Sequence, residues 1–120
     1  MQTSDYKDLR VWQKSMDLVV DIYKLLNHLP QEERYALSDQ IRRSAVSIPS
    51  NIAEGQARNT AKEFSHFLSI SRGSLAELET QLILCIRLQY LNDMCLTDIF
   101  ERMKHIDKML SGLMNSLKNK

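Results

Sequence analysis

The 120-residue sequence is poor in the residues that interrupt a helix or cross-link a chain. It contains three glycines, two prolines and two cysteines. So few helix-breaking residues are typical of a folded helical protein and not of a disordered chain. The cysteines, Cys85 and Cys95, form neither a Cys-x-x-Cys pair nor the disulfide framework of a small secreted domain, so we expect both thiols to be reduced.

The sequence also lacks an excess of charge of either sign and a long apolar run. Sixteen Lys and Arg against fifteen Asp and Glu leave a net charge of +1, which favours neither a nucleic-acid coat nor a membrane-surface protein. Lys7, Arg10 and Lys14 interrupt the first twenty residues, so no signal peptide is predicted, and no later run approaches the roughly 18 residues of a membrane span. We therefore expect a cytoplasmic protein.

What the sequence does contain is 43% apolar and 26% charged residues, which is enough to build a core. A chain of this length buries roughly two thirds of its unfolded surface when it folds. We therefore expect residues 1–120 to form a single domain.

Four segments carry apolar residues at alternating steps of three and four, the spacing of one helix face. The first runs from Leu9 to the turn at Pro30, and the second lies between Pro30 and Ala57 with Ser38 as a possible N-cap. Two further residue pairs predict where the later helices begin: Thr60 with Glu63, and Thr97 with Asp98. The sequence thus predicts an all-α fold, an antiparallel up-down-up-down four-helix bundle.

The first helix carries two apolar stripes, although a monomer needs only one. We assign to the core the stripe that contains Trp12, Met16, Val19 and Tyr23, and the second stripe to a subunit contact. The end of the third helix is also apolar on nearly all sides. The predicted oligomer interface consists of Val11, Leu18, Ile22, Leu25, Ile83, Ile86 and Tyr90. A homo-oligomer explains this surplus, and the alternative is a wide core within one subunit.

Pro49 falls inside the second helix, where it removes a backbone donor and crowds the carbonyl of Ala45. The sequence therefore predicts a kink at this position. Ser47 and Asn51 lie one turn apart around it, and their side chains are predicted to satisfy the carbonyl that Pro49 leaves without a partner.

No motif for catalysis, a metal ion or a cofactor is evident. Glu63-x-x-His66 matches half of a bundle di-iron site, but the helical spacing places both side chains on the solvent face, and Glu63 also has a capping role. The three glycines are too scattered to hold a phosphate. We expect a protein that is not an enzyme and binds no metal or cofactor.

Residues 40–55, with the sequence QIRRSAVSIPSNIAEG, resemble the characteristic segment of a bacterial family of four-helix bundles named after the protein encoded within 23S rRNA intervening sequences. DLRVW at residues 8–12 and FLSISRGSLAELET at residues 67–80 extend the resemblance over nearly the whole chain. The resemblance implies a ring-like homopentamer without a known enzymatic activity. A distant relative, the accessory variability protein of diversity-generating retroelements, implies RNA as a partner.

Two functions are compatible with these observations. The first is a non-catalytic oligomeric binding module in which Arg42, Arg43, Arg58 and Lys62, repeated by symmetry, contact RNA or DNA. These residues flank the end of the second helix and the start of the third, so we expect them to converge at one end of each subunit. The alternative is a structural adaptor that binds another protein through the oligomer surface, and the nearly neutral charge favours it.

Overall fold

A computed structural model describes residues 5–118 of the chain and contains four α-helices and no strand within that range. Short 3-10 turns at Tyr6–Asp8, Leu26–His28 and Gln31–Glu33 precede α1 or connect it to α2. The helices are α1 Arg10–Leu25, α2 Leu37–Gln56, α3 Ala61–Arg87 and α4 Asp93–Leu117. The predicted all-α class and the four helices are confirmed.

Helices α2 and α3 run in opposite directions. Ser47 of α2 lies beside Ser74 of α3, with 2.8 Å between their hydroxyl oxygens, and Gly55, further along α2, lies against Phe67, which comes earlier in α3. The segments that connect α2 to α3 and α3 to α4, residues 57–60 and 88–92, are short. Because such connections join neighbouring antiparallel helices, they favour the up-down-up-down order for the whole bundle.

One hydrophobic core runs along the bundle and takes side chains from all four helices. Leu18, Ile41, Leu78 and Ile106 are fully buried there and represent one helix each. Each of these side chains lies on an apolar face with the spacing of a helix turn, which is why the periodicity of the sequence located the helices correctly. None of the helices within residues 5–118 is both long and apolar enough to cross a membrane.

The stripe of α1 that we assigned to a subunit contact is buried within the subunit instead. Val11, Leu18 and Ile22 are buried in the core of the same subunit, and Leu25 is half-buried against it. They are therefore not available as a free subunit interface. Ser15 is buried within this stripe, where its hydroxyl donates a hydrogen bond of 2.7 Å to the carbonyl of Val11, so it enters the core without an unpaired donor.

The helix starts were predicted with mixed success. The backbone amide of Glu63 donates to Thr60 Oγ1 at 3.1 Å, as expected for the cap of α3. Helix α4 begins earlier than Thr97, because Asn92 Oδ1 accepts a hydrogen bond of 2.9 Å from the Cys95 amide. Ser38 is a buried residue inside α2 and not its N-cap.

Candidate functional site

The outward stripe of α1 is a continuous apolar surface, which we call the α1 row. Its residues follow one another at steps of four, three, one and three, so they share one helix face. The α1 row consists of Trp12, Met16, Val19, Val20 and Tyr23. Val20 is 52% exposed, and Met16 and Tyr23 are exposed to a similar extent. Trp12 and Val19 are half-buried and pack against the core, so the exposed part of the row consists of Met16, Val20 and Tyr23. These three side chains leave apolar surface that the packing of the subunit does not use.

Ring contacts hold both ends of the α1 row in place. At one end the ring of Tyr6 meets the indole of Trp12 edge to face, with 5.4 Å between centroids. At the other end the guanidinium carbon of Arg42, on α2, lies 5.6 Å from the ring centroid of Tyr23. The α1 row and the Arg42 side chain of α2 therefore lie side by side on one surface of the subunit.

A second apolar surface lies at the end of α3. Ile83, Leu84 and Leu88 are each more than two fifths exposed. Of the predicted interface residues in α3 and in the turn after it, only Ile83 is in this exposed group, because Ile86 and Tyr90 pack against the core. The end of α3 therefore keeps part of the apolar surface that the sequence indicated.

Tyr90 has a polar partner as well. Its hydroxyl donates a hydrogen bond of 2.7 Å to the carboxylate of Glu33, in the turn before α2. This bond holds the phenol in its protonated form and raises the pKa of Tyr90 above its usual value. The contact ties the end of α3 to the start of α2.

The segment around Pro49 is a polar seam between α2 and α3. Asn51 Nδ2 donates to the carbonyl and to the hydroxyl of Ser47, both at 2.9 Å. Ser71, on α3, donates to the carbonyl of Ile48 at 2.9 Å. These bonds reach carbonyls two and three residues beyond Ala45, so they do not confirm the predicted role of Ser47 and Asn51 in capping the carbonyl that Pro49 leaves without a partner.

Small residues allow α2 and α3 to approach closely along this seam. A Cβ atom added at Gly55 would lie 2.8 Å from Cβ of Phe67, well inside van der Waals contact. Ser47, Ser71 and Ser74 perform a similar role further along, because each hydroxyl is small enough for a close helix pair and has a partner across the seam. The conspicuous small and polar residues of 40–55 thus serve helix packing.

The four predicted nucleic-acid-binding cations do not converge. Arg42 and Arg58 are sixteen positions apart along α2 and its C-terminal end, which corresponds to about 24 Å along a helix axis. Arg42 and Arg43 therefore lie towards one end of the subunit, and Arg58 and Lys62 towards the other. The expectation that they gather at one end is wrong, because the length of α2 separates them.

Two of the three arginines are paired with carboxylates, and Arg42 lies over the ring of Tyr23. Arg43 pairs with Asp39 at 3.1 Å, and Arg58 pairs with Glu54 at 2.7 Å and approaches Glu63 at 3.9 Å. The guanidinium of Arg58 also lies 4.9 Å from the ring centroid of Phe67. Lys62 is exposed beside them. Neither cluster is a strong isolated positive patch.

Groups capable of chemistry are sparse. Within residues 5–118 no three His, Cys, Asp or Glu side chains gather closely enough to hold a metal ion. Burial raises the pKa of the Cys85 thiol to about 11, with a smaller contribution from Glu33, so this thiol is protonated at neutral pH. Cys95 is exposed, and its thiol donates to the carbonyl of Asn92 at 3.2 Å.

Comparison with known proteins places the chain in a family. No curated protein matches it. A solved structure from Bacteroides thetaiotaomicron, described as a protein with unknown function from the S23 ribosomal protein family, is 30% identical. It superimposes with a TM-score of 0.79 over 87% of this chain and 97% of the other. The family described as 23S rRNA-intervening sequence protein matches residues 7–112, and the chain belongs to that family.

Proposed function

We propose that the protein is a non-catalytic module that assembles into a closed homo-oligomer through the α1 row and presents the repeated surface of that assembly to another protein. The observation that carries the proposal is the exposure of Met16, Val20 and Tyr23 in the α1 row, on a helix whose other stripe is already buried. Contiguous apolar surface of this kind marks interaction sites on folded proteins.

The presence of two separate apolar surfaces favours a ring. The α1 row is on the first helix, whereas Ile83, Leu84 and Leu88 are at the end of the third. A contact between two different surfaces is heterologous, and repeated copies of such a contact close into a ring when the rotation permits it. Five subunits is the number that the sequence resemblance implies.

The first experiment measures the mass of the assembly. Sedimentation velocity at 1–100 µM protein is expected to show one discrete oligomer for the unmodified chain. Val20→Lys puts an ammonium group in the middle of the α1 row, where assembly would remove it from water, so this variant is expected to be monomeric. Its helical circular dichroism should be unchanged because Val20 lies outside the core.

A matched control variant distinguishes the effect of a charge placed in the α1 row from the effect of a changed net charge. Asp17→Asn also adds one positive unit to α1, but Asp17 is exposed on the polar face between the two stripes. This variant is expected to keep the mass of the unmodified oligomer. The proposal fails if the unmodified chain is monomeric at micromolar concentration, or if Val20→Lys has the same mass as Asp17→Asn.

The choice of partner needs a second experiment. The oligomer recovered from cells should carry a protein in fixed ratio to its subunits, and the Val20→Lys variant should recover less of it. RNA or DNA binding through Arg42, Arg43, Arg58 and Lys62 is the alternative, and it requires the assembly to bring the two separated clusters together from different copies. Binding of RNA or DNA at about 50 mM salt that weakens steeply as salt rises would favour this alternative.

A further inference from the structure

A polar cleft of about 250 Å³ lies between the turn after α1 and the start of α2. Arg34, Ser38 and Arg42 line it at steps of four residues, and the turn contributes Asn27 and Pro30. No Asp or Glu in the described part of the chain lines this cleft. The two arginines therefore give its lining two positive charges and no negative charge.

Neither of these arginines is neutralised by a carboxylate. No Asp or Glu within residues 5–118 is at ion-pair distance from Arg34 or Arg42. The guanidinium of Arg42 lies over the ring of Tyr23, a contact that leaves its positive charge uncompensated. Both charges are therefore available to a ligand.

The acidic residues that are close in sequence are directed to other partners or to solvent. Asp39 pairs with Arg43 at 3.1 Å, and the carboxylate of Glu33 accepts the hydrogen bond of 2.7 Å from the Tyr90 hydroxyl. Glu32 is exposed and does not line the cleft. The cleft is therefore a local positive site in a chain that is nearly neutral overall.

The Ser38 hydroxyl is a donor that lacks an acceptor. The residue is only 2% exposed, and its hydroxyl has no hydrogen-bond partner within residues 5–118. In that range, Gln81 Oε1 is the one side-chain atom that lacks a partner and is also closed to solvent, so the Ser38 hydroxyl opens onto the cleft that it lines. Nearly all buried polar groups in folded proteins are paired, so this hydroxyl indicates a ligand that accepts its hydrogen bond.

The start of α2 supplies further donors beside Ser38. Ala36 precedes this helix and provides no side-chain cap. The backbone amides of Leu37, Ser38 and Asp39 have no backbone acceptor among the residues that the structure describes. Free amides at the start of a 20-residue helix carry partial positive charge and stabilise a bound anion.

We propose that this cleft binds the phosphate group of a small phosphate monoester. Such a group carries close to two negative charges at neutral pH and has three acceptor oxygens. Its charge matches that of Arg34 and Arg42, and its oxygens suit the Ser38 hydroxyl and the free amides of α2. A cleft of about 250 Å³ is smaller than the sites of drug-sized ligands, as expected for a phosphate with a short substituent. The proposal does not depend on assembly through the α1 row.

The test is a titration of the full chain with methyl phosphate at about pH 7.5 and constant ionic strength, followed by NMR on isotope-labelled protein. We expect saturable shifts of the Ser38 backbone amide and the Arg42 side-chain signals. Arg42→Gln should weaken binding at least about tenfold, because a charge-assisted hydrogen bond is lost. Ser38→Ala should weaken binding about fivefold, because it removes the hydroxyl donor without breaking a hydrogen bond of the subunit.

Arg10→Gln is the counterpart of Arg42→Gln at a distant position. It makes the same chemical change, but Arg10 is at the start of α1, whereas the cleft lies beyond the end of that helix. This variant should bind methyl phosphate like the unmodified chain. Dimethyl phosphate is also tetrahedral at phosphorus but carries one negative charge, so it should bind at least about tenfold more weakly than methyl phosphate.

Four results would overturn the proposal. The first is the absence of saturable shifts in both the unmodified chain and Val20→Lys, since the latter covers the case in which assembly closes the cleft. The second is equal weakening by Arg42→Gln and Arg10→Gln, which would reflect net charge alone. The third is unchanged binding by Ser38→Ala. The fourth is equal affinity for methyl and dimethyl phosphate, which would indicate a phosphodiester, as in a nucleic acid, and not a monoester.

Discussion

Gly55 offers the sharpest test of the close contact between α2 and α3. A Cβ atom at this position would lie 2.8 Å from Phe67 Cβ, 2.9 Å from Phe64 Cδ1 and 3.2 Å from the Phe64 carbonyl oxygen. The ring of Phe64 can rotate away, but Phe67 Cβ is fixed to the backbone of α3. Gly55→Ala therefore requires the two helices to move apart.

The expected cost follows from two opposing effects. Overpacking of a close contact costs about 1–3 kcal/mol, and replacing a helical glycine by alanine gains up to about 1 kcal/mol. Gly55 is the next-to-last residue of α2, where the gain in helix propensity is small. We therefore expect Gly55→Ala to lower the free energy of unfolding by about 1–2 kcal/mol.

Gly73→Ala and Gly112→Ala are the controls. Both glycines lie inside helices, and an added Cβ would meet no atom within 4 Å at either position. Each control should therefore stabilise the protein by about 0.5–1 kcal/mol. Urea unfolding followed by circular dichroism, at one fixed protein concentration, measures all three variants. If Gly55→Ala is as stable as Gly73→Ala, α2 and α3 do not approach each other closely at Gly55.

Three further predictions concern a helix cap and the buried end of α3. Thr60→Ala should lower the free energy of unfolding by about 1 kcal/mol because it removes the N-cap of α3, and Thr60→Ser should restore it; an alanine variant of unchanged stability in urea unfolding would contradict this. Iodoacetamide should modify Cys95 in the folded protein but Cys85 only after denaturation, as read by mass spectrometry, and equal labelling of both would contradict the burial of Cys85. The folded state raises the pKa of Cys85 from 9.0 to about 11 and also that of Tyr90, so it keeps protons that the unfolded state has released. The contribution of these two groups to the free energy of unfolding is therefore fully present below about pH 9 and should be lost as the pH rises towards 11. A free energy of unfolding that does not change over that range would contradict these pKa shifts.

The sequence predicted the helices of this fold better than the faces they bury. Periodicity located both stripes of α1, but two apolar stripes on one helix look equivalent from spacing alone. Ser15 is the polar member of the buried stripe, and only the structure shows that its hydroxyl bonds to the carbonyl of Val11. Trp12 in the other stripe is half-buried, because it packs partly against the core and partly against the ring of Tyr6.

The cap of α4 and the separation of the cationic residues both follow from simple sequence rules. Asn92 is a good N-cap residue and caps α4, whereas the sequence analysis placed the start of that helix at Thr97. The separation of Arg42 from Arg58 could have been calculated, because a helix rises about 1.5 Å per residue. The burial of Gln81 Oε1 without a hydrogen-bond partner among residues 5–118 could not have been predicted, because it depends on the packing around that atom.

The polar seam has a consequence for the uniqueness of the fold. Apolar faces can slide along one another with little change in the area they bury, but hydrogen-bonded pairs cannot. A slip of one turn would move α2 by about 5.4 Å relative to α3 and would separate both Ser47 from Ser74 and Ser71 from the Ile48 carbonyl. It would also bring a larger residue than Gly55 against Phe67. The seam thus selects a single register for two helices whose apolar contacts alone would tolerate several.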